Sequence, residues 1–127
     1  MALFLFVCLG GAFGTAMRYL IGVSVQAWYG PDFPIGTLIV NLIGSFLISM
    51  LMYLAVDRGL MATPTRIVIA TGVMGGFTTY SSFNFETLRL WQQGHLGLGF
   101  LNLGLTVVGC LAMGGLGLLT GRLLGGT

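Results

Sequence analysis

Long apolar runs separated by short polar clusters organise this chain. The first runs from about Ala2 to Val25 and ends before Trp28-Tyr29-Gly30-Pro31-Asp32, an interfacial aromatic pair followed by a turn signal. The second covers about Ile35 to Val56 and stops at Asp57-Arg58-Gly59. The third covers about Thr65 to Leu90, and a turn around Gln92-Gln93-Gly94-His95 leads to the fourth, about Gly97 to Leu124. Each run is near the ~20 residues that cross a hydrocarbon core. The pattern predicts an all-α membrane protein, a single four-helix transmembrane unit with no soluble domain. The apolar start, which lacks a basic leader, reads as a retained first span rather than a cleaved signal.

The third run is irregular. Gly75-Gly76-Phe77-Thr78-Thr79-Tyr80-Ser81-Ser82-Phe83 sets two glycines and four Thr or Ser residues in the middle of a span. Lipid offers a backbone no hydrogen-bond partners, so irregular polar backbone at that depth survives only against protein or an aqueous path. A broken third helix is predicted, with its break over Gly75 to Thr79, and the segment is a candidate ion site.

Composition supports the membrane reading. Hydrophobic residues make up 56% and charged residues 6%, without a single lysine; soluble domains carry about 25% charged residues. A net charge of +2 with no basic stripe argues against nucleic acid as a partner. Cys8 and Cys110 lie in apolar runs without metal-ligand spacing and read as packing residues. His95 sits in a turn with no Cys, Asp or Glu cluster around it, so no enzyme site can be assembled there.

Charge distribution bears on orientation. Four spans would put Arg58, Arg66 and Arg122 on one face and Arg18 and Arg89 on the other. Such a small bias predicts insertion in both directions and an antiparallel, dual-topology homodimer. Gly10, Gly14 and Gly22 share a face of the first span with Arg18, and Gly117, Gly121 and Gly125 share one on the fourth. Small residues at this spacing let helices approach closely.

Few polar side chains lie within the spans, and each is costly to keep there. Asn41 is either an interhelical hydrogen-bonding residue or a pore amide offering N–H to an anion. Ser81 and Ser82 either bond back along the helix or line a polar track. Tyr80 and Phe83 share a helical face, as packing residues or as rings presenting their positive edges to an anion. Arg18 and Glu86 suit an ion pair or a cap; otherwise Arg18 sets a vestibule potential and Glu86 fixes pore residues. Asn102 and Thr106 form a modest stripe with Cys110. Neutral donors with almost no carboxylates suit a small hydrated anion, and carbonyls exposed at a break suit a cation.

Three ordered motifs resemble the CrcB/Fluc family of fluoride channels over essentially the whole chain. They are Gly10-Gly11-Ala12-Phe13-Gly14 with Arg18-Tyr19, then Gly36-Thr37 with Asn41 and Gly44-Ser45-Phe46, then Gly75 to Phe83 with Glu86. The resemblance implies an antiparallel homodimer in the cell inner (plasma) membrane with two fluoride pathways. It also implies a structural sodium ion, not transported, held by the main-chain carbonyls of Gly75 and Thr78 from each subunit. Asn41, Tyr80, Ser81, Ser82 and Phe83 map to the fluoride path, with Asn102 and Thr106 at its fourth-helix positions and Arg18, Thr37, Thr79 and Glu86 in support. The family has phenylalanine where this chain has Tyr80, which implies reduced throughput with selectivity kept. Passive fluoride export, hence fluoride resistance, is the implied role. Rival readings are a small dual-topology exporter, proton-coupled for fluoride or for drugs, and a noncatalytic membrane subunit. Spans one, two and four hold no interior carboxylate for a drug exporter.

Dual insertion has a direct check: a topology reporter fused to the C-terminus is expected on both sides of the membrane. A reporter confined to one side contradicts it.

Overall fold

The computed structural model describes residues 1–126. Twenty-eight residues free of proline, Ala2–Tyr29, form α1, which continues through the aromatic pair and stops at Gly30, whose φ of 80° a side chain would resist. Pro31 and Pro34 hold the chain out of helix until α2, Ile35–Met52, which runs on as a π-helical turn, Tyr53–Asp57. Pro64, in the first turn where its missing N–H costs nothing, starts α3 as Thr63–Ile67. This helix widens into a π-helical stretch, Val68–Met74, and ends in one last turn, Gly75–Phe77. Thr78 and Thr79 are extended, α4 is Tyr80–Gln92, and α5 is Leu96–Gly125.

The interruption is therefore shorter than the sequence pattern suggests and lies further along. Gly75 and Gly76 stay helical, and only Thr78 and Thr79 leave the helix. The reason is packing. A Cβ on Gly76 would run into the carbonyl oxygen of Gly11, and one on Gly14 into that of Val73. Gly76 and Gly14 allow α1 and α3 to pack backbone to backbone rather than marking the break.

Among the described residues three helices are long and apolar enough to cross a membrane: Ala2–Tyr29, Ile35–Asp57 and Leu96–Gly125. At 1.5 Å per residue the 30 residues of α5 span about 45 Å, more than a hydrocarbon core of ~30 Å, which a tilt accommodates. The outer surfaces of α1 and α5 carry many exposed leucines and phenylalanines, as a lipid-facing surface should. The protected interior is small and partly polar: Val40, Asn41, Met74, Phe77, Phe83, Thr87, Asn102 and Thr106 are all buried around the interruption.

The two glycine rows serve different neighbours. Gly10 and Gly14 meet Val68 and Val73 of α3, whereas Gly22 lies against Gly36 of α2. Gly117 packs on the Phe46 carbonyl, Gly121 on Met50 and Tyr53, and Gly125 on Arg58, so the α5 row seats that helix on α2 and its extension. Gly117→Ala is expected to cost about 1–3 kcal/mol by overpacking this seam, whereas Gly97→Ala, where nothing lies within 4 Å, should leave the melting temperature unchanged or slightly raised. Thermal unfolding of the purified variants checks the contrast.

Candidate functional site

The end of α3 leaves carbonyls that a continuous helix would have satisfied, and the surrounding residues claim them selectively. In an α-helix each carbonyl accepts from the N–H four residues on. Met74 keeps its partner: its oxygen accepts from Thr78 N at 3.0 Å and from Thr78 Oγ1 at 2.9 Å. The Gly76 oxygen accepts instead from Arg18 Nε of α1 at 2.9 Å. The N–H that would serve Gly75 belongs to Thr79, and it donates to Asn41 Oδ1 at 2.8 Å. The N–H that would serve Thr78 belongs to Ser82, and it donates to Thr79 Oγ1 at 3.1 Å, capping α4. Gly75 and Thr78 thus lose the donors a continuous helix would supply.

Asn41 holds this arrangement from α2. Besides accepting from Thr79 N, its Nδ2 donates to the Thr79 carbonyl at 2.9 Å, so one side-chain amide satisfies both backbone groups of an extended residue. A primary amide has a second N–H, which this pairing leaves free. Asn41 is buried, and Gly44, one turn on, has no room for a Cβ because Thr78 Cγ2 occupies that space. The interhelical reading of Asn41 is thereby realised, and a donor remains for a ligand.

Beside the interruption lies a hollow of about 470 Å³ lined by Asn41, Gly75, Thr78, Tyr80, Phe83 and Thr106, with Cys110 at its border. Phe83 is 4% exposed and Tyr80 79% exposed; their rings meet edge to face at 5.7 Å and 68°. The Ser81 Oγ lies 3.3 Å from Thr79 Oγ1, and among the described residues neither serine hydroxyl bonds back to a carbonyl of the preceding turn.

Asn102 sits elsewhere. It is 1% exposed, and its Nδ2 donates to Thr87 Oγ1 at 2.9 Å, while Thr87 donates to the Phe83 carbonyl at 2.8 Å. Asn102 therefore ties α5 to α4 behind Phe83 and does not line the hollow. Thr87 was not evident as a site residue; its only sequence signal is the four-residue spacing from Phe83 that a hydroxyl back-bond needs.

Arg18 and Glu86 do not pair with each other. Arg18 reaches the Gly76 carbonyl, whereas Glu86 Oε1 accepts from Thr37 Oγ1 at 2.8 Å and its Oε2 is buried without a partner among the described residues. Glu86 and Thr37 line a second, larger hollow of about 960 Å³, between the end of α1, the start of α2 and α4, that also contains Arg89, Asp32 and His95. No group of three or more His, Cys, Asp or Glu side chains gathers for a metal among the described residues.

Residues 5–118 match the family described as CrcB-like protein, Camphor Resistance (CrcB). The chain belongs to the CrcB family. CrcB relatives include a protein from Anaeromyxobacter dehalogenans named fluoride-specific ion channel FluC, 51% identical over 112 residues, covering 88% of this chain and 89% of its own. A Sorangium cellulosum protein of the same name is 47% identical over 116 residues, 91% of each chain. One from Magnetococcus marinus is 43% identical over 118 residues, 93% of this chain and 96% of the relative. CrcB proteins are thus ion channels of membranes, not enzymes.

Asn41→Ala strips both bonds from Thr79. Each buried backbone group left unpaired costs about 1–3 kcal/mol, so a large fall in melting temperature is expected, with Thr37→Val, which removes one hydroxyl, far milder. Equal effects of the two would contradict the assignment.

Proposed function

We propose that this chain is a fluoride-selective channel subunit that works as an antiparallel, dual-topology homodimer in the bacterial inner membrane. Its four spans are α1, α2, the interrupted pair α3 and α4, and α5. The observation that carries the reading is the interruption at Thr78-Thr79, opening onto a hollow lined by the buried Asn41 amide and the aromatic residues Tyr80 and Phe83, in a chain whose relatives bear the name fluoride-specific ion channel.

The chemistry of the hollow suits fluoride. A small, strongly hydrated anion gives up water only to fixed donors. Asn41 offers its spare N–H, Phe83 the positive edge of its ring, and Thr106 a hydroxyl; Ser81 and Ser82, which do not line the hollow, add hydroxyls in the first turn of α4. Asn102 supports this path through Thr87 and the Phe83 carbonyl. Tyr80 replaces a ring C–H by a hydroxyl at the exposed side of the hollow, which narrows the path and slows transit.

A sodium ion, structural and not transported, fits the carbonyl oxygens of Gly75 and Thr78. Hard cations take oxygen ligands, and the N–H groups that would close these two carbonyls in a helix are held by Asn41 and Thr79 instead. Two oxygens per chain are too few, and a second copy facing the first supplies two more. Bound there, the ion contributes positive charge beside the anion path. Arg18 is engaged inside the protein by Gly76, so the facial arginines are Arg58, Arg66 and Arg122 against Arg89. A margin of two charges is a weak orientation signal, and antiparallel pairing rests on it together with the family resemblance.

Passive conduction suits a cell with a negative interior. Hydrofluoric acid crosses lipid uncharged, ionises in the more alkaline cytoplasm, and leaves as fluoride through the channel. A proton-coupled fluoride exchanger is the second reading, favoured by the buried Glu86 carboxylate with its unpartnered oxygen.

Purified protein in liposomes is expected to release fluoride only when valinomycin clamps the potential, with no release of chloride, and Tyr80→Phe should raise the fluoride rate several-fold. Fluoride release that ignores valinomycin but moves protons would favour the exchanger. No fluoride release from folded Tyr80→Phe protein would contradict both.

A further inference from the structure

The hydroxyl of Thr79 has a role that pore chemistry does not use. It is the side-chain cap of α4, accepting from Ser82 N at 3.1 Å while its own backbone, φ −153° and ψ 116°, stays extended in the grip of Asn41. Thr78 just before it is also extended, with ψ 159°. The Ser82 N–H is one of the helix-terminal donors that must find an acceptor. Its competing acceptor is the Thr78 carbonyl, four residues back, which it reaches if Thr79 turns helical and α4 grows by one residue at its start.

Resting on the sodium reading above, we infer that Thr79 is a positioning residue for the cation: by capping Ser82 with its hydroxyl, it keeps the Thr78 carbonyl out of α4 and available to the ion. The residue type fits both demands. A β-branched side chain favours extended backbone, and a hydroxyl is a good helix cap. Gly75 depends on the same residue from the other side, because the Thr79 N–H that would have occupied its carbonyl is held by Asn41. One residue therefore governs the donors of both oxygens, its hydroxyl through Ser82 and its N–H through Asn41.

Thr79→Val is the informative substitution, since it keeps the shape and the extended preference and removes the hydroxyl that accepts from Ser82 N and meets Ser81 Oγ. Purified full-length protein is titrated with sodium against N-methylglucamine at fixed ionic strength, following the melting temperature, and retention of radioactive sodium is measured in parallel. A ligand that binds only the folded state raises the melting temperature as its concentration rises. The wild type and Thr79→Ser are expected to share one sodium midpoint, with that of Thr79→Val raised about tenfold, the order of effect a lost cap gives, and its retained sodium reduced accordingly. A Thr79→Val midpoint equal to the wild type overturns the role of Thr79 and leaves the sodium reading standing. A wild type indifferent to sodium in both assays overturns the sodium reading and this inference with it. Should Thr79→Val not fold, Thr79→Ala takes its place in the same titration: a raised midpoint supports the role of Thr79, and an unchanged one overturns it.

Discussion

The pairing of the Asn41 amide with the backbone of Thr79 is the constraint around which this protein is built. An extended residue between two helices has a carbonyl and an N–H that neither helix can satisfy, and in a membrane interior no water replaces them. Asn41 meets both at 2.8 and 2.9 Å. Among short side chains only an asparagine carries a donor and an acceptor in the fixed geometry of a peptide; aspartate lacks the donor and serine the reach. With Thr79 held extended, its hydroxyl falls into place as the cap of α4, and the first turn of that helix presents Tyr80 and Phe83 to the hollow.

The opposite side of the interruption is held by α1. Gly14 and Gly76 let the two backbones touch, and at that distance the Arg18 guanidinium reaches the Gly76 carbonyl in the last turn of α3. Interior polar groups are thus largely spent on backbone that the break would otherwise leave bare, as buried polar groups must be. What remains unspent is a spare amide N–H, the Ser82 hydroxyl, and the carbonyls of Gly75 and Thr78. Under the proposed function anion donors and cation acceptors lie within two or three residues of each other, so the structural ion and the fluoride path depend on one short segment.

Much of this was legible in the residue pattern. The apolar runs give α1, α2 and α5 to within a few residues, because lipid-facing helices need uninterrupted hydrophobicity. The polar cluster gives the interruption, although its position is displaced by Gly75 and Gly76, whose glycines serve contact with α1 rather than a bend. The partners were not legible. Arg18 and Glu86 suggested an ion pair or a hydrogen-bonded cap; Arg18 does cap a carbonyl at the end of α3, but neither that oxygen, 58 residues away, nor the Thr37 partner of Glu86, 49 residues away, could be named from the pattern. Asn102 and Thr106 do share a face, but which neighbour each meets depends on how α5 crosses α4 and α2, and no local spacing encodes that crossing.

Under the proposed function, the interruption sets aside main-chain oxygens for a cation shared between two copies, beside the anion path. A crystal structure of the protein grown in sodium and fluoride is the measurement to make. Two antiparallel copies are expected, with a single compact density ringed by the Gly75 and Thr78 carbonyl oxygens of both and flanked by Asn41 and Phe83 on each side. Copies whose interruptions face away from each other, or carbonyls of Gly75 and Thr78 closed by backbone N–H groups, would contradict it.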